Sequence, residues 1–211
     1  SGGWAITVAL RAAGVGRGDE VLSVPNVDIA AAAPVSHSGA DLQWVDVEPT
    51  SHGMDPDALE ARIGPRTRAI VVVHLYGFPA RMDALLEIAA RHGLVVIEDG
   101  SLAPGARYAD RPVGSLGTFG VFSLSSTKPL SAVGKAGVLV TDDDELADRA
   151  RVLVNYGFEL ENLAAINRGE PGTPFQYRTE GYNAALDEVQ AAVLAAKLPY
   201  LPGWIERRRE H

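Results

Sequence analysis

An α/β domain built on a mostly parallel, buried sheet is the fold class this sequence predicts. Short, nearly continuous apolar runs occur at 20–24, 42–47, 69–75, 94–98, 119–124 and 137–141. Between them lie helical patterns at 4–13, 29–38, 56–63, 82–92 and 145–154, with a last one at 186–197. Strands that are apolar at consecutive positions are covered on both faces, and alternation with helices supplies that cover. With 211 residues, 46% of them hydrophobic and 22% charged, the chain can form one large domain with a substantial core.

The breaks between elements are marked. Gly14-Val15-Gly16-Arg17-Gly18-Asp19 ends the first helix, and Gly77-Phe78-Pro79 follows the third strand. Asp55-Pro56 reads as an N-cap followed by proline at the first helical position. The stretch 159–180 holds Asn, Gly and Pro with little periodicity and is expected to be a long loop. The chain starts at Ser1 without a methionine and ends inside a charged helical run, 205–211, so it reads as a fragment of a longer protein.

Composition excludes several function classes. There is no cysteine, hence no disulfide framework or thiolate metal site, and the five histidines form no ligand pair at helical spacing. No metal site is expected. A net charge of −8 gives no cation excess for nucleic acid or an anionic membrane surface. No apolar run reaches the length of about eighteen residues that a bilayer span needs. A cytoplasmic setting is the expectation.

In open parallel sheets ligands gather beyond the carboxyl ends of the strands. Two residues there carry chemistry. Asp99 closes the run 94–98, where a buried carboxylate is costly unless a cation meets it. Capping the turn before Gly100-Ser101 is the other use open to it. Lys128 lies just past the strand at 119–124 and is one of three lysines against sixteen arginines. An amine there can condense with an aldehyde cofactor and shuttle a proton, or serve as an ordinary loop lysine. Ser1-Gly2-Gly3-Trp4 opens a helix, a place where backbone N–H groups gather a phosphate. Ser123 can add a hydroxyl. Gly134-Lys135 lacks the first glycine and the Ser/Thr of a P-loop, and no Gly-x-Ser-x-Gly elbow occurs.

With these residues in place, the chain resembles the DegT-like sugar aminotransferases, fold-type-I pyridoxal-phosphate (PLP) enzymes. The likeness runs through Ser1-Gly2-Gly3, Gly14–Val21, Val73-His74-Leu75-Tyr76-Gly77 and Val96-Ile97-Glu98-Asp99. It continues through Gly114-Ser115-Leu116-Gly117, Phe122-Ser123 with Thr127-Lys128, and Gly181-Tyr182-Asn183 ahead of Asp187-Glu188-Val189-Gln190. The resemblance implies a three-layer α/β/α large domain, residues 1–211, lacking an N-terminal stretch and a small C-terminal domain. It implies Lys128 as the Schiff-base lysine, Asp99 as partner of the pyridine nitrogen, Ser123 and the backbone at Gly3 and Trp4 as phosphate binders, and Asn183 as a residue reaching the phosphate of the neighbouring subunit of a homodimer. The implied reaction moves an amino group from glutamate or glutamine to a nucleotide-linked keto sugar or an aminocyclitol precursor.

Departures from the family pattern are equally definite. Gly3 replaces a threonine, Ile29 stands where an aromatic ring stacks on the cofactor, and Leu102 replaces a glutamine that touches the cofactor's phenolic oxygen. Pro104 replaces a histidine and Ala185 a basic residue. Each lost hydrogen bond costs about 1 kcal/mol. These changes open two alternatives: a catalytically degenerate member with a structural or regulatory role, and a PLP enzyme of another reaction type. Retention of Lys128 favours transamination over sugar dehydration.

Overall fold

The computed structural model describes residues 1–171 and 175–210. Its central sheet has six strands: β1 (Glu20–Ser23), β2 (Asp41–Trp44), β3 (Thr67–Val73), β4 (Val95–Asp99), β7 (Phe119–Ser123) and β8 (Gly137–Val140). Two short strands, β5 (Arg107–Tyr108) and β6 (Arg111–Pro112), form a separate antiparallel hairpin. The sheet order is β2-β1-β3-β4-β7-β8, parallel throughout except for β8, which pairs antiparallel with β7. Position in the sheet explains composition. Six of the seven residues of β3, an interior strand, are buried, whereas β2, at the edge, is exposed at both its ends.

Helices cover both faces. One side carries α1 (Gly2–Ala12), α2 (Ile29–Ser38) and α5 (Asp144–Val154), packed with Val21, Val71, Ile97 and Phe119 of the sheet. The other carries α3 (Pro56–Arg62) and α4 (Met82–His92), whose Leu59, Met82, Leu85 and Ile88 meet Leu22, Ile70, Val72 and Val96. Three layers result, as the resemblance implies. α1 is buried along most of its length, and its alanines Ala5, Ala9 and Ala12 let its backbone lie close to its neighbours.

Local chemistry sets the helix ends. Asp28 caps α2 by accepting from Ala30 N, and Gly39 ends it at φ 93°. Asp55 caps α3 with Pro56 at its first position, as the sequence predicts. Inside α2, Pro34 has no N–H to give Ala30, and Gly3 of α1 approaches the Ala30 carbonyl so closely that a Cβ there would lie 3.3 Å from its oxygen.

Several expectations change in detail. The stretch 159–180 is not one loop: α6 (Leu160–Asn167) lies within it, and Phe158 bridges to Tyr177 while their rings pack at 4.5 Å. Hydrogen bonds from Glu159 N and Asn162 Nδ2 to Gln176 tie the start of α6 to the segment that follows. The second strand stops at Trp44 instead of 47, because Val47 pairs with Met54 in a local bridge. The third stops at Val73, and Leu75–Gly77 forms a 3₁₀ turn. The last predicted helix starts later, as α7 (Glu188–Lys197), capped by Asp187. After a 3₁₀ turn at Leu198–Tyr200 comes α8 (Leu201–Arg209), which contains most of the charged run at the end of the chain. Among the described residues no helix is long and apolar enough to cross a membrane.

Candidate active site

β3, β4 and β7 are adjacent and parallel, so their carboxyl ends open on one side of the sheet. A cleft of about 200 Å³ lies there, and Asp99 and Lys128 both line it. Gly2, Gly3, Ser101 and Ser123 complete its polar wall, with Val73 and Leu75 on the apolar side. A larger cleft of about 450 Å³ lies between α1, β8 and α5, but Arg151 is the one charged side chain among its lining residues. The smaller cleft is the candidate site, because its lining holds both an amine, Lys128, and a carboxylate at a strand end, Asp99.

Asp99 ends β4 and is buried. Its Oδ1 accepts from Ser101 N at 3.0 Å, so the turn-capping role is realised with one oxygen. Among the described residues Oδ2 has no hydrogen-bond partner. The main chain holds this strand end on both sides. His74 N donates to Asp99 O at 3.1 Å, and Gly100 N donates to Val121 O at 2.9 Å. Gly100 cannot be larger, because a Cβ would sit 2.6 Å from the Phe122 ring.

Ser101 ties the two ends of the cleft together. Its N–H goes to Asp99, and its Oγ accepts from Ser123 N at 2.8 Å. Sequence reasoning missed it; its place two residues after a strand-end aspartate was the available signal. The N-terminus of α1 abuts Ser123 so closely that a Cβ on Gly2 would lie 2.6 Å from Ser123 Cβ and 2.9 Å from its Cα. Helix N-terminal amides and a hydroxyl thus share one end of the cleft, the arrangement that suits an anion. Lys128 is half-buried in a turn that its own N–H closes onto Ser125 O at 2.9 Å. Asp28 and Thr127 also line the cleft, and the sequence reading gave neither a role.

Of the other expected site residues, Trp4, Ile29 and Asn183 do not line this cleft. Trp4 lines the larger cleft, its ring packed on Tyr182 at 4.8 Å and its N–H capped by Ser1 Oγ. Ile29 is 74% exposed and does not line the smaller cleft, although its neighbours Asp28 and Ala30 do. Leu102 does line it and is 39% exposed. Asn183 is exposed and bridges through its main chain to Asn155. Among the described residues no group of three or more His, Asp or Glu side chains is placed to hold a metal ion.

Behind the cleft, on the opposite face of the strand ends, His74 and Glu98 are wholly buried and 3.1 Å apart. Burial by itself pushes the Glu98 carboxyl up. Hydrogen bonds from His74 and from the backbone of Gly117, Gly114 and Leu116 outweigh burial and hold it below the ordinary carboxylate value.

The profile of the DegT/DnrJ/EryC1/StrS aminotransferase family matches residues 1–211. The chain belongs to this family. It is 42% identical to the dTDP-3-amino-3,4,6-trideoxy-alpha-D-glucose transaminase of Streptomyces venezuelae, over 99% of the chain and 52% of that relative. It is 45% identical to the L-glutamine:scyllo-inosose aminotransferase of Streptomyces griseus, over 96% of the chain and 47% of that relative. The crystal structure of S. venezuelae DesV in complex with a ketimine intermediate superposes with a TM-score of 0.89 at 42% identity, covering 100% of this chain and 53% of that one. The chain spans about half the length of the relatives it matches.

Proposed function

We propose that this chain is the cofactor-binding large domain, residues 1–211, of a PLP-dependent aminotransferase. The whole protein, with an N-terminal stretch and a small C-terminal domain added, would act as a cytoplasmic homodimer. Its acceptor is a nucleotide-linked keto sugar or an aminocyclitol precursor, and its amino donor is glutamate or glutamine. The observation that carries this reading is that Lys128 and Asp99 line one cleft together with Gly2 and Gly3 at the start of α1 and with Ser123. Relatives named as a dTDP-amino-sugar transaminase and a glutamine-using aminocyclitol aminotransferase support the substrate class.

The residues present fit the cofactor. The N-terminal amides of α1 at Gly2 and Gly3, with the Ser123 hydroxyl, would hold the phosphate, and the glycine at position 2 leaves no side chain between helix and strand. Asp99 Oδ2 would accept from the ring N–H and keep that nitrogen charged. PLP when bound supplies an aldehyde that condenses with amines and a ring that accepts the electron pair released at a donor's α-carbon. Lys128 Nζ would attach the cofactor at rest, then take the donor's α-proton and return it on the other side of the transfer. Leu75 and Val73 keep water from one wall of the cleft. Asn183, exposed at the surface, would reach the phosphate site of the second copy.

The test is a titration of the full-length protein with PLP, followed by glutamate or glutamine. Uptake should give a yellow protein whose absorbance shifts on adding donor. In Lys128→Ala, kcat should fall by at least about 10²-fold, the low end of what a positioned general base supplies. Transamination by that variant at the wild-type rate refutes the reading. A second reading, a member without catalysis, is favoured by the exposure of Ile29 and by Leu102 lining the cleft. A colourless full-length protein that takes up no PLP would decide for it.

A further inference from the structure

Two polar side chains that the proposed chemistry does not use, His74 and Glu98, are both completely buried. Burying a carboxylate is costly, and an apolar pair would often fill such a space at equal or better stability. Here every lone-pair direction is occupied. Glu98 Oε1 accepts from Leu116 N and Gly117 N, each at 2.7 Å, and Oε2 from Gly114 N at 2.9 Å and from the His74 ring at 3.1 Å. The backbone N–H of Ala80 can only donate, and it points to His74 Nδ1 at 3.1 Å. The ring proton therefore sits on Nε2 and goes to Glu98, so the imidazole is neutral.

These bonds connect the segments that shape the cleft. In β3 and β4, Val72 pairs with Glu98 and Val73 with Asp99, so Glu98 and Asp99 leave the strand on opposite faces. His74 follows directly, and its own N–H holds the Asp99 carbonyl at 3.1 Å. Past His74, Tyr76 sits at φ 55°, a conformation that a bulky residue keeps only when its surroundings impose it. Gly77 follows at φ 91°, a conformation that glycine adopts without strain. One buried carboxylate thus fastens the turn at 114–117, the imidazole and, through it, the strand end that presents Asp99.

We propose that His74 and Glu98 are a positioning pair for Asp99: the neutral imidazole, gripped between Glu98 and Ala80, sets the place of the Asp99 carboxylate in the cleft. The proposal rests on the reading of Asp99 as the cofactor's partner. His74→Gln keeps a donor for Glu98 at the place of Nε2 but puts no acceptor where Nδ1 meets Ala80 N–H, whereas His74→Leu leaves that N–H unpaired and Glu98 Oε2 with Gly114 N alone. In the full-length holoenzyme, His74→Gln should weaken PLP binding and lower kcat at saturating PLP by about tenfold to a hundredfold, the scale of a misplaced contact near the reacting atoms. KM for glutamate should stay near the wild-type value, and the circular-dichroism band of the bound cofactor should change. His74→Leu should be worse on each measure. In an Asp99→Asn background, His74→Gln should weaken PLP binding no further.

A purely structural role predicts otherwise: lower melting temperature, with PLP affinity, cofactor band and kcat of the folded protein unchanged. That result, or an equal loss of PLP affinity with and without Asp99, overturns the proposal. Should the variants fail to fold, nitrogen-15 NMR of the wild-type protein tests the same point, and a His74 ring that is charged or protonated on Nδ1 overturns it. A wild-type protein that binds no PLP refutes the function proposed above as well, whereas a wild-type holoenzyme with indifferent His74 variants refutes this inference alone.

Discussion

Replacing Gly2 by alanine is expected to destabilise the protein and loosen its cleft, although alanine is the better helix former. Gly2 is the first residue of α1, where a change to alanine would gain at most about 1 kcal/mol from helix propensity. Against that stands the end of β7. The new Cβ would fall 2.6 Å from Ser123 Cβ and 2.9 Å from Ser123 Cα. Carbon atoms rest about 3.5–4.0 Å apart, so helix and strand must separate by roughly 1 Å. One of the two atoms struck is backbone, and no rotamer change relieves it. Overpacking of this kind costs about 1–3 kcal/mol, which exceeds the gain. Because Gly2 and Ser123 both line the cleft, the separation also moves the proposed phosphate site. A displacement of about 1 Å can cost on the order of 10²-fold in rate. Urea denaturation and PLP titration of full-length Gly2→Ala measure both effects. Gly203→Ala is the control: this glycine also lies in a helix, α8, but nothing is within 4 Å of its added Cβ, so that protein should be unchanged or more stable. A Gly2→Ala protein with wild-type midpoint and PLP affinity would refute the close-approach argument.

Three further outcomes follow from the packing and charges. Phe119→Ala should cost about 3–5 kcal/mol in urea denaturation, because this wholly buried ring lies on an interior strand against the α1 side; a loss below 1 kcal/mol would contradict that placement. The Glu98 carboxyl is held below its ordinary value of 4.5 in the folded protein. Its contribution to stability is therefore complete above that value and is lost as pH falls through the lower folded one. An NMR titration of Glu98 with a midpoint at or above 4.5 would reverse the sign. Asp187→Ala removes a carboxylate that accepts from Val189 N at 3.0 Å and Gln190 N at 3.2 Å, and should cost about 1 kcal/mol in the same denaturation assay.

Much of the architecture was legible because its signals are local. The strand at 94–98 and the helix at 82–92 appear almost as read, since continuous apolar runs and 3.6-residue periodicity report burial directly. The cap at Asp55 was legible for the same reason: a side-chain oxygen reaches an amide only two residues on. The helix α6 was not, because the bonds that tie it down run from Glu159 and Asn162 to Gln176, fourteen or more positions along the chain.

Residue type and order alone singled out Lys128 and Asp99, since an amine and a carboxylate at strand ends in an α/β chain are chemically conspicuous. They also determined the fold class and the family. Only the folded chain decided that these two residues share one cleft with Ser123 and Gly2, while Trp4, Ile29 and Asn183 lie outside it. It likewise decided that Ser101 links the two ends of the cleft, and that His74 and Glu98 lock together behind Asp99. The physical reason is range. Propensity, capping and hydrophobic periodicity act over a few residues, whereas a site is made by side chains 24 or more positions apart, as His74 and Glu98 are, whose meeting depends on sheet register and on how closely a helix can approach a strand.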